Sequence, residues 1–179
     1  MKHDVFAPWA EPAPNAPFPM RAEDLLTLPD DGWQYEIVEG RLVRMPGSGN
    51  ARSRIAMYLG IMLGTFAKPR KLGSVSGADG AYDLTLQGET QETALSPAVT
   101  SVRAGRLPAL NTAEASKTPH AAPDLVAEVA SPSQHRPEMA AQAQMYLDRG
   151  VALVWIIGPA RQEVDVWRSG VPTVNAWQD

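Results

Sequence analysis

The sequence predicts an α/β fold, and three segments carry that prediction. Residues 125–157 read as strand, helix, strand, the pattern of a right-handed crossover between parallel neighbours. Residues 33–45 (WQYEIVEGRLVRM) form two partly alternating strand-like halves on either side of Glu39-Gly40, a hairpin signal. Residues 51–67 place Ile55, Leu59, Met62 and Phe66 at i, i+4, i+7 and i+11, the spacing of one buried helical face. No internal repeat interrupts this order, and 179 residues fall within the range of one domain.

The elements follow in turn. Residues 1–20 contain Pro8, Pro12, Pro14, Pro17 and Pro19, which favour extended backbone over helix. The segment reads as a loose N-terminal tail, with Trp9 and Phe18 as the side chains that could pin it to a surface. A short helix is expected over Ala22–Leu28, stopped by Pro29-Asp30-Asp31-Gly32. After the hairpin and the long helix, Pro69 ends helical structure. Short strands are expected near Ser74–Gly77, Ala81–Leu86 and Ala98–Val102, with Gln87–Ser96 as a polar loop. Residues 103–122 lack periodicity and read as loop with at most one helical turn. Leu125–Val129 is an apolar run suited to a strand covered on both faces. Ser133 is expected to cap the next helix, with Pro137 in its first turn and Gly150 past its end. Val151–Ile157 is a second buried strand, Gly158-Pro159 a turn, and Glu163–Arg168 the last strand.

Composition narrows the function classes. Apolar residues make up 44% of the chain, enough for a real core, and the net charge is −4. Such a balance lacks the strongly basic signature of many nucleic-acid binders, although a local basic groove can sit on an acidic protein. The chain has no cysteine, which excludes disulfides and thiolate zinc sites. His3, His120 and His135 are far apart in sequence, and none forms a metal-ligating pair. The start MKHDVF runs into proline without an apolar signal-peptide core, and no apolar run approaches the ~20 residues of a membrane span. The expectation is a soluble, cytoplasmic protein with no membrane partner. No phosphate loop, GxGxxG turn, nucleophile elbow or HExxH pair is present.

Against this background Glu128 stands out. A carboxylate inside an apolar strand costs several kcal/mol on burial unless it is paired, protonated or metal-bound. A solvent-facing strand-end Glu, or one paired with an Arg, explains the residue equally well. Gln142 shares the helical face of Met139, Ala143 and Tyr146; a polar group there needs a partner, or else lies at an edge with its amide in water. Asp124 opens the buried strand and could serve only as a loop cap. Glu36 and Glu39 would point to opposite faces of an extended strand and so would not share one metal. Basic residues gather at Arg52 and Arg54, at Lys68, Arg70 and Lys71, and at Arg103 and Arg106. They could line a phosphate-binding groove, or be ordinary solvated charge.

The motif order resembles the Uma-two type of putative restriction endonuclease, a branch of the PD-(D/E)XK nuclease superfamily. The matching pieces are RAEDLLTLPDDGWQYEIVEGRLVRM, RIAMYLGIMLGTF, SVRAGRLPAL, APDLVAEVASPS and YLDRGVALVWIIGP, in the family's order over roughly residues 20–168. The resemblance implies a restriction-endonuclease-like mixed central sheet flanked by helices, with an N-terminal helix and hairpin. Residues 21–179 would form the single endonuclease-like domain behind the extension 1–20. It further implies a site in which carboxylates hold Mg²⁺ or Mn²⁺ and a Lys helps position or activate water. Magnesium prefers oxygen ligands, and a divalent ion neutralises charge developing on phosphate oxygens.

By this resemblance Glu128 is the metal-binding Glu and Glu36 a further contributor, with Asp124 and Tyr35 as supporting residues. Arg52, Arg54, Lys68, Arg70 and Lys71 would face nucleic acid, and DNA cleavage on both strands implies a homodimer. Two positions depart from the pattern. The earlier Pro-Asp pair reads Pro97-Ala98, and the expected lysine is Gln142. Arg52 stands where the family often has His. Asp83 or a backbone carbonyl would be the replacement for the lost ligand. Family members also continue beyond the last strand, whereas this chain stops at Asp179, which suggests a missing edge element. Two functions remain open: an endonuclease with an impaired site and a weakly held metal, or an inactive nuclease-fold module that binds nucleic acid or protein.

Overall fold

The computed structural model describes residues 7–47, 49–132 and 134–175. Two sheets and two longer helices make up the architecture. The hairpin forms where the alternation places it: β1 (Glu11–Pro12) is followed by β2 (Trp33–Val38) and β3 (Arg41–Pro46), the latter two paired antiparallel about Glu39 and Gly40. Both turn residues have positive φ, 49° and 73°, which a two-residue turn of this hand requires. Helix α1 (Asn50–Ala67) leads to β4 (Gly73–Gly77), β5 (Tyr82–Asp83), β6 (Ala94–Leu95) and β7 (Val99–Arg103). Then come β8 (Leu125–Val129), α2 (Arg136–Asp148), β9 (Leu153–Gly158), β10 (Glu163–Arg168) and β11 (Val171–Asn175).

The mixed sheet has six strands in the order β11-β10-β9-β8-β7-β4. Only β8 and β9 run parallel, joined through α2, as the crossover pattern predicts. A second sheet, β1-β3-β2-β6-β5, is antiparallel throughout and grows from the hairpin. The main apolar core lies between the two sheets and α2, around Val38, Leu95, Val126, Tyr146 and Val154. A smaller cluster of Met20, Ala22, Ile37, Leu42 and Ala94 covers the other side of the hairpin. Among the described residues no helix is long and apolar enough to cross a membrane.

Several expectations are corrected. The N-terminal segment is not a loose tail over its described part: Ala7 and Trp9 are buried, and β1 adds to the edge of β3. The proline-rich chain suits an edge strand, where a missing N–H leaves no ladder bond unmade. Phe18, the other proposed pin, stays exposed and lies 5.4 Å from the Arg41 guanidinium. The Ala22–Leu28 helix is a 3-10 turn over Ala22–Thr27. Within the expected Ala81–Leu86 strand only Tyr82–Asp83 pair, and the polar loop 87–96 hides a buried strand, β6. Strand β11 follows the expected last strand and forms the sheet edge. The cap assigned to Ser133 lies outside the described residues; α2 begins at Arg136, where Glu138 accepts from the His135 N–H at 3.1 Å.

Helix α1 is present, but its buried face differs. Ile55 and Leu59 are half-buried, whereas Met62 and Phe66 are 69% and 55% exposed. The helix turns small residues, Ala56, Gly60 and Gly64, toward an open cleft of about 670 Å³ in front of β4 and β7. Its bulky residues Tyr58, Met62 and Phe66 face outward, while Met57 and Ile61, also more than half exposed, border the cleft. Period alone cannot choose between a face of small residues and a face of large ones when both are apolar.

Two glycines test this packing. Gly73 has φ +147°, and a Cβ there would lie 1.9 Å from the Val102 carbonyl oxygen. Gly73→Ala is expected to lower stability by about 3 kcal/mol in urea titration, because backbone rather than a side chain must move. Gly60→Ala meets nothing within 4 Å and should instead raise stability by about 0.5–1 kcal/mol through helix propensity.

Candidate active site

The two sheets meet at a pair of buried carboxylates. Glu36 lies on β2 of the first sheet and Glu128 on β8 of the second, 0% and 4% exposed. The chain passes between the sheets through Ser96-Pro97-Ala98, linking β6 to β7. Its two available N–H groups are spent on the acids. Ser96 N donates to Glu36 Oε1 at 2.9 Å, and Ala98 N to Glu128 Oε2 at 3.4 Å. Proline at the position between them has no N–H to satisfy.

Each acid has further donors. Trp9 Nε1 donates to Glu36 Oε2 at 3.1 Å, so both Glu36 oxygens are held. Tyr146 Oη donates to Glu128 Oε1 at 2.7 Å, and Gln142 Nε2 approaches the same oxygen at 3.5 Å. Met139, Gln142, Ala143 and Tyr146 are the buried residues of α2, one face of the helix packed against the sheets. Gln142 and Tyr146 are one turn apart and reach one carboxylate. The amide of Gln142 is therefore inside and bonded, not at a solvated edge.

The environments of the acids differ. Burial pushes both carboxyl groups up in pKa. For Glu36, the Ser96 and Trp9 bonds oppose that rise. Glu128 is pushed up to about 7 by burial and then by the neighbouring Glu36, against the Tyr146 bond, the Arg52 charge and the Ala98 bond. Among the described residues the one short bond that Glu128 receives is that from Tyr146; the others are near the outer limit of hydrogen bonding. The Tyr146 hydroxyl is itself held well above its ordinary value by burial and the two acids.

Glu36, Glu128, Ala98, Gln142 and Arg52 line one cavity of about 10 Å³, room for roughly one water. The other residues proposed from sequence lie elsewhere. Tyr35 alternates to the opposite face of β2 and donates to Asp31 at 2.8 Å. Asp124 precedes β8, about 13 Å along the chain from Glu128 at strand rise. There it accepts from Arg103 and Arg106 at 2.6 and 2.9 Å, which fixes a loop and takes both cations out of any free basic groove. Asp83 faces His120 and Thr85, and so supplies no ligand to the cavity. Of the five basic positions, Arg52 alone lines the cavity. Arg54 is exposed, and Lys68, just past the end of α1, lies sixteen residues from Arg52, about 24 Å by helical rise. Arg70 stacks on Phe66 at 4.3 Å.

Trp9 and Tyr146 were missed as parts of the site. Tyr146 was legible, one turn beyond Gln142 on the same face. Trp9 was not, because nothing in a proline-rich segment tells which interior group its indole will reach.

The residues present do not fit a tightly held Mg²⁺. That ion demands about six oxygens at ~2.0–2.1 Å and keeps several waters. Here two carboxylates, already engaged by protein donors, face space for one water, and Ala98 offers no side-chain ligand. Among the described residues no group of three or more His, Asp or Glu forms a metal cluster.

The raised Glu128 carboxyl has a consequence for stability. Its folded pKa, about 7, exceeds the unfolded 4.5. Its contribution is therefore complete below pH 4.5 and is lost as pH rises through about 7. Wild type should lose about 2–3 kcal/mol between pH 5 and 8 through this group. In Glu128→Gln that slope should flatten, as chemical denaturation across this range would reveal.

No curated protein matches the sequence. A crystal structure of a putative nuclease belonging to DUF820 from Anabaena variabilis is similar in fold, with TM-score 0.72 and 22% identity, over 88% of this chain and 84% of that one. The Uma2 family model, described as "putative restriction endonuclease", matches residues 22–178. Sheets, crossover and sequence motifs agree with that match, and the chain belongs to the Uma2 family.

Proposed function

We propose that the chain is a phosphodiester-hydrolysing endonuclease of its family with an impaired active site, in which Mg²⁺ or Mn²⁺ is held weakly or not at all. One observation carries the reading. Glu36 and Glu128 converge on one cavity, while Ala98 and Gln142 fill the positions where a second metal carboxylate and a lysine are expected. The acid pair is the part of such a site that protein folding preserves most readily, because both carboxylates also bond the backbone or side chains around them. A carboxylate about 4 Å from a divalent ion contributes on the order of 8 kcal/mol of Coulomb energy at an effective dielectric of ~20. Its loss weakens metal binding by several powers of ten. Gln142 orients a water but brings no charge to a developing phosphate oxyanion. Glu128, poised near 7, is the group suited to accept a proton from that water.

The open cleft beside α1, which shares Arg52, Gln34 and Ala98 with the cavity, is the approach for a nucleic-acid strand in this reading. A reducing, cytoplasmic setting accords with a chain that has no cysteine. A homodimer is part of the same proposal, and the outward face of α1 supports a second copy as its occupant. Five large apolar side chains of α1 are each more than half exposed, Tyr58, Met62 and Phe66 on that face and Met57 and Ile61 where it borders the cleft. At on the order of 100 Å² apiece, they give two copies about 1,000 Å² to bury, the lower bound of a specific interface. Met62→Glu should convert the dimer to monomer in sedimentation velocity; a monomeric wild type would overturn the pairing.

The catalytic reading is tested by restoring the departures. Mg²⁺ and Mn²⁺ binding and nicking of supercoiled plasmid DNA are measured for wild type, Glu128→Ala and Ala98→Asp with Gln142→Lys. The expected result is slow cleavage by wild type, none by Glu128→Ala, and a gain of about a hundredfold or more in the restored protein. Cleavage by wild type as fast as by the restored protein would show an intact site. A restored variant that folds but stays silent would favour the inactive binding module.

A further inference from the structure

Arg52 lies in the first turn of α1 and lines the small cavity together with Glu36 and Glu128. Among the described residues it is the only cation that does so. Its Nε is buried and has no hydrogen-bond partner, although the side chain as a whole is half-exposed. A buried guanidinium N–H left unmade is costly, so no neighbouring protein acceptor accounts for the position of this group.

Two carboxylates buried together need a positive charge: a proton, a metal ion or a side chain. With Gln142 neutral, α2 provides none. Arg52 is always charged and reaches the cavity from another helix, α1. It also lines the large cleft, so its head group can lean toward the acid pair or away into open space without leaving its helix.

We infer that Arg52 supplies the positive charge which the acid pair would otherwise take from a divalent ion, and that it competes with metal for the cavity. The inference rests on the reading above only in taking Glu36 and Glu128 as the metal-facing end of the site. Arg52 is here a positioning and specificity residue: it acts on the acids, not on a substrate. Like charges cannot share a space for one water, so metal entry requires the guanidinium to withdraw.

The test is direct titration with Mn²⁺ alone, by calorimetry and by electron paramagnetic resonance of free Mn²⁺, on the full chain. Wild type, Arg52→Gln, Arg52→Ala, Arg52→Lys and the double variant Arg52→Gln with Glu128→Gln are compared, each checked for folding by circular dichroism. Neutralising Arg52 is expected to tighten Mn²⁺ binding at least about tenfold, since a repelling charge is removed. Arg52→Lys, which keeps the charge, should bind as wild type does, and the double variant should lose the gain. The inference is overturned if either folded neutral variant binds no tighter than wild type, or if Arg52→Lys gains as much as Arg52→Gln. Its failure is separable from that of the catalytic reading. Unchanged Mn²⁺ affinity in Arg52→Gln, with nicking restored by Ala98→Asp and Gln142→Lys, sinks only the role of Arg52. Tighter Mn²⁺ binding without any restored nicking sinks only the nuclease.

Discussion

The fold is organised around two acids that neither sheet can hydrate. Glu36 comes from the antiparallel sheet and Glu128 from the mixed one, and both are buried where the sheets meet. Carboxylates in such a place must be met by donors from within, and the five donors here come from three parts of the chain: the approach to β1 through Trp9, the inter-sheet segment through Ser96 and Ala98, and α2 through Gln142 and Tyr146. Satisfying the acids therefore fixes how the N-terminal segment, the sheet crossing and α2 sit relative to one another. A requirement of local chemistry becomes a constraint on global topology.

The sequence reveals elements whose signal is a contrast with water, and it hides those decided by contact alone. The hairpin is legible because positive-φ residues, Glu39 and Gly40, separate two alternating runs. The crossover is legible because two buried apolar strands bracket a helix with Pro137 at its start and Gly150 past its end. Strand β6 is hidden because only two residues, Ala94 and Leu95, pair, and a polar stretch precedes them. The segment 7–20 is hidden because its prolines describe an extended chain without saying whether that chain meets a sheet edge.

The candidate site was legible to the same degree. Glu128 announces itself as a carboxylate in an apolar strand, and Gln142 as an amide on an inward helical face. That they meet Glu36 is a tertiary fact, since residues 36, 128 and 142 are brought together only when both sheets close. Asp124 and Tyr35 show the opposite error. Both sit inside the most family-like segments, yet strand alternation and strand length carry them away from the cavity, to an Arg pair and to Asp31. Neighbourhood in a motif is not neighbourhood in space.

The departures at Ala98 and Gln142 are more informative together than apart. Against the pattern that the resemblance implies, Ala98 brings one negative charge fewer to the cavity and Gln142 one positive charge fewer, so the formal balance of the protein groups is the same. Either change alone would have left a buried charge uncompensated, at a cost of several kcal/mol. In the same proposal Arg52 then adds a permanent cation to the cavity that the acid pair lines, where Gln142 brings none. On the proposed reading the three positions amount to one electrostatic exchange, in which charge that a divalent ion would otherwise share is carried by the chain itself. A pocket balanced in that way keeps its fold in the absence of metal, whereas a site built around a divalent ion leaves its carboxylates repelling one another until the ion arrives.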